Sequence, residues 1–188
     1  MKQNIRGFTL IELLVTVAIF AILASLAGPS FVNTITSNRL ASDRDKLMNS
    51  LQFAKTEAIS RNVPVAICPS TNGTSCSNTN DWTDGWIIYI DENKTGLISK
   101  VDTVIRVQEG LKNINVVHAS QRAGLTPSLF IRYLPQGYAS DSSPIPAQTV
   151  GFCDNQNDVP ARAIIITQTT GQARAGDATE VVCPATGT

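Results

Sequence analysis

The chain has 188 residues, with 15 lysines and arginines against 15 acidic residues, so its formal net charge is zero. That balance excludes the clustered positive excess of a general nucleic-acid binder. The length allows one modest globular domain with a real core. A single histidine (His118), and no G-x-S-x-G, H-E-x-x-H or Walker A phosphate loop, give no sign of an enzyme or of a bound cofactor.

The N-terminus opens with a short basic leader, MKQNIRG, ending at Gly7. An apolar run follows from Phe8 to Ala27, with one carboxylate, Glu12, near its start. Such a run, at about 1.5 Å per residue, matches a bilayer core of about 30 Å. A charge inside it costs roughly 2.5–3.5 kcal/mol on insertion scales, so Glu12 calls for a reason. An ordinary signal peptide is cut after its apolar stretch. Here the small residue, Gly7, precedes it, so cleavage between Gly7 and Phe8 removes Lys2 and Arg6 and leaves the apolar helix in place. Thirteen basic residues then face fifteen acidic ones. The leader charges orient the chain with a cytoplasmic N-terminus and send the bulk of it across the membrane.

The run Gly7-Phe8-Thr9-Leu10-Ile11-Glu12 resembles the prepilin motif of type IV pilins and pseudopilins. The resemblance implies cleavage after Gly7 by a prepilin peptidase, N-methylation of Phe8, and pairing of Glu12 with a neighbouring subunit's N-terminal amine during assembly. It implies three segments: a leader (1–7), a transmembrane and assembly helix (8–29), and a periplasmic globular domain (30–188).

Gly28-Pro29 is expected to kink or melt the helix, because proline removes a backbone bond and clashes with the preceding turn. An amphipathic helix then continues to about Arg61. Its apolar stripe is Leu40, Leu47, Leu51, Ala54 and Ala58, with Asp43, Asp45, Lys46 and Lys55 placed elsewhere. A following sheet is the natural partner for that stripe.

Beyond Asn62 the pattern turns to short strands, predicted at Val63–Cys68, Trp86–Ile90, Val104–Gln108, Ile114–His118, Leu129–Leu134, Val150–Cys153, Ala163–Thr167 and Thr179–Cys183. Trp86–Ile90 reads as buried on both sides. Asn72-Gly73, Pro135-Gln136-Gly137 and Gly171 mark turns, and Ser140–Ala147 reads as a flexible loop. One long helix followed by antiparallel strands is an α+β layout.

Four cysteines, Cys68, Cys76, Cys153 and Cys183, all lie beyond the apolar run, on the side where disulfides persist. They allow three connectivities. Cys68–Cys76 with Cys153–Cys183 is preferred. The first closes a Ser-, Thr-, Asn- and Gly-rich loop, and the second ties a last strand to an earlier one. A zinc site is disfavoured, because the nearest cysteines are farther apart than usual zinc-ligand pairs. Asp91 to Gly96 hints at calcium but lacks an EF-hand's spaced ligands and closing glutamate; a β-turn is the default, and no metal is expected. Trp86 is expected in the core, and Trp82 near a loop is a candidate partner anchor.

Several later stretches are similar to the GspH/FimT/FimU group of minor pilins, most of all to its FimU type. They are Leu51 to Arg61, Asp84-Gly85-Trp86, Tyr133 to Gly137, Gly151-Phe152-Cys153, and Arg162 to Gly171. This resemblance implies a type IV pilin-like fold and a structural subunit that helps initiate, prime or cap a type IV pilus. Its implied partners are other minor and major pilins, the prepilin peptidase and methyltransferase, and the inner-membrane assembly platform. The implied location is the bacterial inner membrane, single-pass, and then the fibre. Two other readings belong to the same group: an H-type minor pseudopilin of type II secretion, and a FimT-like DNA-capturing subunit. The latter uses a Gly-Arg-x-Arg motif. The matching positions here are Gly171-Gln172-Ala173-Arg174, where glutamine replaces the first arginine. Arg162 and Arg174 remain as candidate phosphate contacts. Ordinary solvated surface is the preferred reading, and nucleic acid is not an expected partner.

Overall fold

The computed structural model describes residues 7–93, 102–111, 116–118, 129–140, 147–154, 159–167, 169–176, 178–181 and 183, without the side chains of 25–30, 116–118 and 147–148. The chain forms two units, Met1–Thr36 and Ser37–Thr188.

Helix α1 spans Leu10–Arg61. It starts on a threonine cap and ends where Asn62 takes a left-handed φ of 56°, two residues before Pro64. Such an end satisfies the last carbonyls and prevents continuation. Arg61, in the last turn, pairs with Glu57 one turn back. The helix is unbroken through Gly28-Pro29, against the expected kink or melt. Proline removes one hydrogen bond there, and helix-forming sequence on both sides carries the backbone across the gap.

Within the first unit every large apolar side chain described is exposed. Phe8 (82%), Leu10 (78%) and Phe20 (73%) are the extremes, and consecutive positions such as Leu13, Leu14 and Val15 point in different directions. This segment has no polar face. A helix apolar all round is one that other apolar matter surrounds.

In the second unit the stripe is buried as its spacing predicts: Leu40, Leu47, Leu51, Ala54 and Ala58 are all buried. Asp43 is a correction. It lies three residues after Leu40 and four before Leu47, hence on the stripe, and it is buried with its carboxylate bonded to Lys46 Nζ at 2.5 Å.

Among the described residues nine strands follow: β1 Val65–Pro69, β2 Gly85–Ile90, β3 Thr103–Glu109, β4 Val116–His118, β5 Ile131–Tyr133, β6 Ala139–Ser140, β7 Ala147–Cys153, β8 Arg162–Thr167 and β9 Gln172–Gly176. They make two sheets, ordered β3-β2-β1-β5-β6 and β4-β7-β8-β9, with antiparallel pairings throughout. The main core joins the helical stripe to Val65, Ile67, Trp86, Ile88, Ile131 and Tyr133 of the first sheet and to Val150, Phe152, Ile164 and Ile166 of the second. The other face of β1 and β2 is covered too, by a cluster of Ala66, Cys68, Ile87, Tyr89 and Phe130. That is why Trp86–Ile90 carries no polar alternation.

One expectation fails at the C-terminal end. The described residues of Thr179–Cys183 form no strand: Ala178–Glu180 is a turn of 3-10 helix. The last strand is β9, whose sequence, QARAG, holds no β-branched or aromatic residue and is exposed or half-buried. It pairs with β8 because the turn at Gly171 (φ +59°) delivers it there. Of the loop expected at Ser140–Ala147, residues 141–146 lie outside the described residues, Ser140 belongs to β6, and Ala147 opens β7. Lys94 to Gly96, the end of the Asp91 to Gly96 stretch, also falls outside.

Candidate processing and assembly site

The N-terminal site is built around the first turn of α1. Thr9 precedes the helix, and its carbonyl accepts the first helical bond, from Leu13 N at 3.2 Å. Thr9 Oγ1 accepts from Glu12 N at 3.3 Å. Glu12 Oε2 accepts in return from Thr9 N at 3.3 Å and from Thr9 Oγ1 at 3.4 Å. This reciprocal pair is a capping box: each side chain satisfies a backbone N–H that the helix leaves unpaired. The carboxylate also sits at the positive end of the helix dipole. The Thr9-x-x-Glu12 spacing before an apolar run is the sequence signal for this cap, and the prepilin reading passes over it. Gly7 stands next to this turn with open space around its Cα, and Phe8 is exposed. The peptide bond between them is therefore accessible, and Glu12 lies about one helical turn from the amine that a cut there would free.

The cysteines are paired as Cys68–Cys76 and Cys153–Cys183, with Cα separations of 5.6 and 5.8 Å. Cys68 is not merely the foot of a surface loop. It is fully buried on β1, in the cluster on the outer face of β1 and β2, and the Tyr89 hydroxyl lies 3.8 Å from Cys76 Sγ. Cys153, at the end of β7, packs with Ala163 and Val181, so its bridge fastens the segment after the 3-10 turn rather than a strand.

The two candidate phosphate contacts are not brought together. Arg162 is paired in register with Phe152, on the core side of β8, and donates to Ser37 Oγ at 3.1 Å. Arg174 is opposite Ile165. Residues 162 and 165 point to opposite faces of a strand. Arg174 is bonded to Glu180 at 2.7 Å, in a salt bridge that offsets its charge. Asp91, the first residue of the calcium-like stretch, is buried and paired with Arg132 at 3.0 Å. Trp82 is fully buried, its ring 6.3 Å from that of Trp86, and so is no partner anchor. Its position beside a loop misleads, because Thr83, Asp84 and Gly85 turn it inward: Gly85 N donates back to Trp82 O.

The profile described as "Prokaryotic N-terminal methylation motif" matches residues 2–28. The profile described as "Type II transport protein GspH" matches residues 43–171, more than half of the chain. The chain belongs to the GspH family. It is a structural subunit of the pilin and pseudopilin type, and membership brings pilin-type partners, processing of the N-terminus and a membrane-anchored stage. Among curated protein sequences none matches it. Its fold is similar to that of the type IV minor pilin FimU of Pseudomonas aeruginosa. In one crystal form of FimU the TM-score is 0.53 at 18% identity, covering 77% of this chain and 92% of that one. A second form gives 0.50, 18%, 74% and 94%. The minor pseudopilin EpsH of the Vibrio cholerae type II secretion system gives 0.48 at 11% identity, with 74% and 97% covered. The α+β pilin fold expected from the sequence is thus also the fold of FimU. The GspH match ends at Gly171, so Gln172 and Arg174 lie beyond it. Among the described residues no helix is long and apolar enough to cross a membrane. The apolar run of the sequence continues to Ala27, three residues past Ala24, the last of its described side chains.

Proposed function

We propose that this GspH-family subunit is a minor pilin of a type IV pilus, helping to initiate, prime or cap the fibre. Residues 8–29 hold it in the bacterial inner membrane, residues 30–188 stand in the periplasm, and the same helix then enters the fibre core. Prepilin peptidase cuts between Gly7 and Phe8, and methylation follows. Its partners are other minor and major pilins and the inner-membrane assembly platform. The observation that supports this reading is the first turn of α1. A carboxylate, Glu12, sits one turn from Phe8, at the head of a segment whose described large apolar side chains are all exposed. Such a segment needs an apolar environment, and a charge within it needs a partner there.

The test is the Glu12→Ala variant, followed by its recovery in sheared fibres and by circular dichroism of the domain. We expect the domain to fold normally and incorporation to fall steeply. Normal incorporation would remove Glu12 from assembly. Intact-mass analysis of the membrane-extracted protein checks the processing step; Met1 retained on the assembled form would rule it out.

A second reading, an H-type minor pseudopilin of type II secretion, draws support from the description of the matching family. Tracking the subunit separates the two. Recovery in surface pili supports the first reading, and loss of protein secretion on deletion, with pili intact, supports the second.

A further inference from the structure

The loop closed by Cys68–Cys76 contains Asn72-Gly73, and its hydrogen bonds are arranged around one side-chain amide. Asn72 Oδ1 accepts from Thr74 N and Ser75 N, both at 2.9 Å, with Ser70 Oγ and Ser75 Oγ each at 3.3 Å. Asn72 Nδ2 donates to Ser75 Oγ at 2.8 Å. Gly73 N donates to Ser70 Oγ at 3.0 Å. Asn72 itself is exposed to solvent.

We propose that Asn72-Gly73 is a self-modifying site, at which the fold promotes cyclisation and deamidation of Asn72. The reacting groups are adjacent in the chain. The backbone nitrogen of Gly73 attacks Cγ of Asn72, forming a five-membered imide. Hydroxide takes the proton of Gly73 N, an N–H that Ser70 Oγ holds in place, and becomes water. Negative charge gathers on Oδ1, where two backbone N–H groups already stand at the distance that oxyanion donors occupy. The bond from Cγ to Nδ2 then breaks. Ser75 Oγ, a hydroxyl that both accepts and donates, gives Nδ2 its proton and regains one from water, which restores the hydroxide, and ammonia leaves. Water opens the imide to aspartate or isoaspartate at position 72. No oxidant, reductant or second protein is needed. Glycine matters at position 73 because a side chain there would crowd the approach to Cγ. Its φ of +72°, and the Val107 side chain against its Cα, also disfavour any larger residue.

The two products differ in consequence. Aspartate keeps acceptors for Thr74 N and Ser75 N and adds a negative charge to an exposed loop. Isoaspartate inserts a methylene into the backbone between the two bridged cysteines and withdraws the side-chain acceptor. Either alters the surface that this loop presents.

The experiment incubates the purified full-length protein in detergent at neutral and mildly alkaline pH, beside the same protein reduced and denatured. Peptide mapping by mass spectrometry follows conversion at Asn72. We expect the folded protein to convert several-fold faster than the denatured one, and Ser75→Ala to abolish that advantage while leaving the denatured rate unchanged. Ser70→Ala is the second variant, with the same expectation. Circular dichroism and an intact Cys68–Cys76 bridge certify that each variant is folded. The proposal is overturned if the folded protein retains Asn72 while the denatured one loses it, because the same bonds then lock the amide in place. Equal rates in the two states, or folded variants that convert as fast as the parent, overturn it as well.

Discussion

Gly171 occupies a point where the two sheets touch. Its φ is +59°, and a Cβ there would overlap the carbonyl oxygen of Gly137, in the turn between β5 and β6. Lys55 braces the same place by donating to Thr170 O at 2.8 Å. The left-handed conformation alone costs an L-residue roughly 1–2 kcal/mol, and the overlap adds to it. Gly171→Ala should therefore lower the unfolding free energy of the domain, read from urea titrations, by at least that amount, and an unchanged midpoint would show that the two turns part freely. A different residue-scale effect belongs to the buried tyrosines. Burial pushes the Tyr133 hydroxyl well above its ordinary 10.0. Burial does the same to Tyr89, helped by Asp91 and Asp102 and opposed by Arg132. A phenol that stays protonated in the folded state and ionises in the unfolded one stabilises the fold fully below pH 10. Above that pH the unfolded chain sheds its protons first, and stability falls by up to about 1.4 kcal/mol per pH unit for each tyrosine. Denaturant midpoints measured from pH 8 to 11 should bend downward near 10, and Tyr133→Phe should flatten the bend. A midpoint that stays level would count against the burial argument.

At the scale of elements, the two disulfides act on different structures. Cys153–Cys183 spans 30 residues and fastens the segment after the 3-10 turn to β7. Cys68–Cys76 spans 8 and closes a loop. Loop length alone gives the longer bridge the larger effect, so Cys153→Ser should cost roughly 2–4 kcal/mol. The sequence argument leaves Cys68→Ser as a mere loosening of a surface loop, but the burial of Cys68 changes that expectation. Cys68→Ser and Cys76→Ser break the same bridge, and only the first places a hydroxyl inside the cluster of Ala66, Ile87, Tyr89 and Phe130. An unpaired buried hydroxyl costs about 1–3 kcal/mol. Cys68→Ser should thus be the more destabilising of the pair in thermal melts, and equal melts would place Cys68 outside the core. The same contrast marks what the sequence makes legible. Period and length place the helical stripe and the doubly buried β2, because burial on a fixed face leaves a pattern in residue type. β9 and the two-residue β6 leave no such pattern: their residues are small and polar, and partners set by the turns at Gly171 and Gly137 hold them in the sheets. Thr179–Cys183 has strand-like residues, yet it begins in a 3-10 turn and ends in the Cys153–Cys183 bridge. The assembly turn is only half legible. Its prepilin pattern is plain, while the cap formed by Thr9 and Glu12 is masked by the stronger membrane signal around it.

For the whole molecule, the question is whether the domain meets nucleic acid or only other subunits. The chain carries equal numbers of acidic and basic residues. Arg162 lies on the core side of β8, Arg174 on the opposite face of its sheet, and Arg174 is paired with Glu180. Gln172 shares the face of Arg174, two residues along β9, so an arginine there would stand beside it. Affinity for duplex DNA rests on how many phosphates a protein neutralises together, and non-specific binders reach Kd values of about 10⁻⁴–10⁻⁶ M at physiological salt. A domain of residues 30–188 should accordingly show little binding to double-stranded DNA at that salt. Gln172→Arg should add a weak, salt-sensitive signal by creating a two-arginine edge, and Glu180→Gln should strengthen it by releasing Arg174 from its carboxylate. A salt titration of binding for the parent, both single variants and the double variant reads all three effects. Micromolar binding by the parent domain, lost in Arg174→Ala, would show that one exposed arginine outweighs its pairing with Glu180 and would favour the DNA-capturing reading. Silence in the parent, with signal rising from the single variants to the double, is the outcome that the charge layout dictates for a subunit whose partners are other pilins.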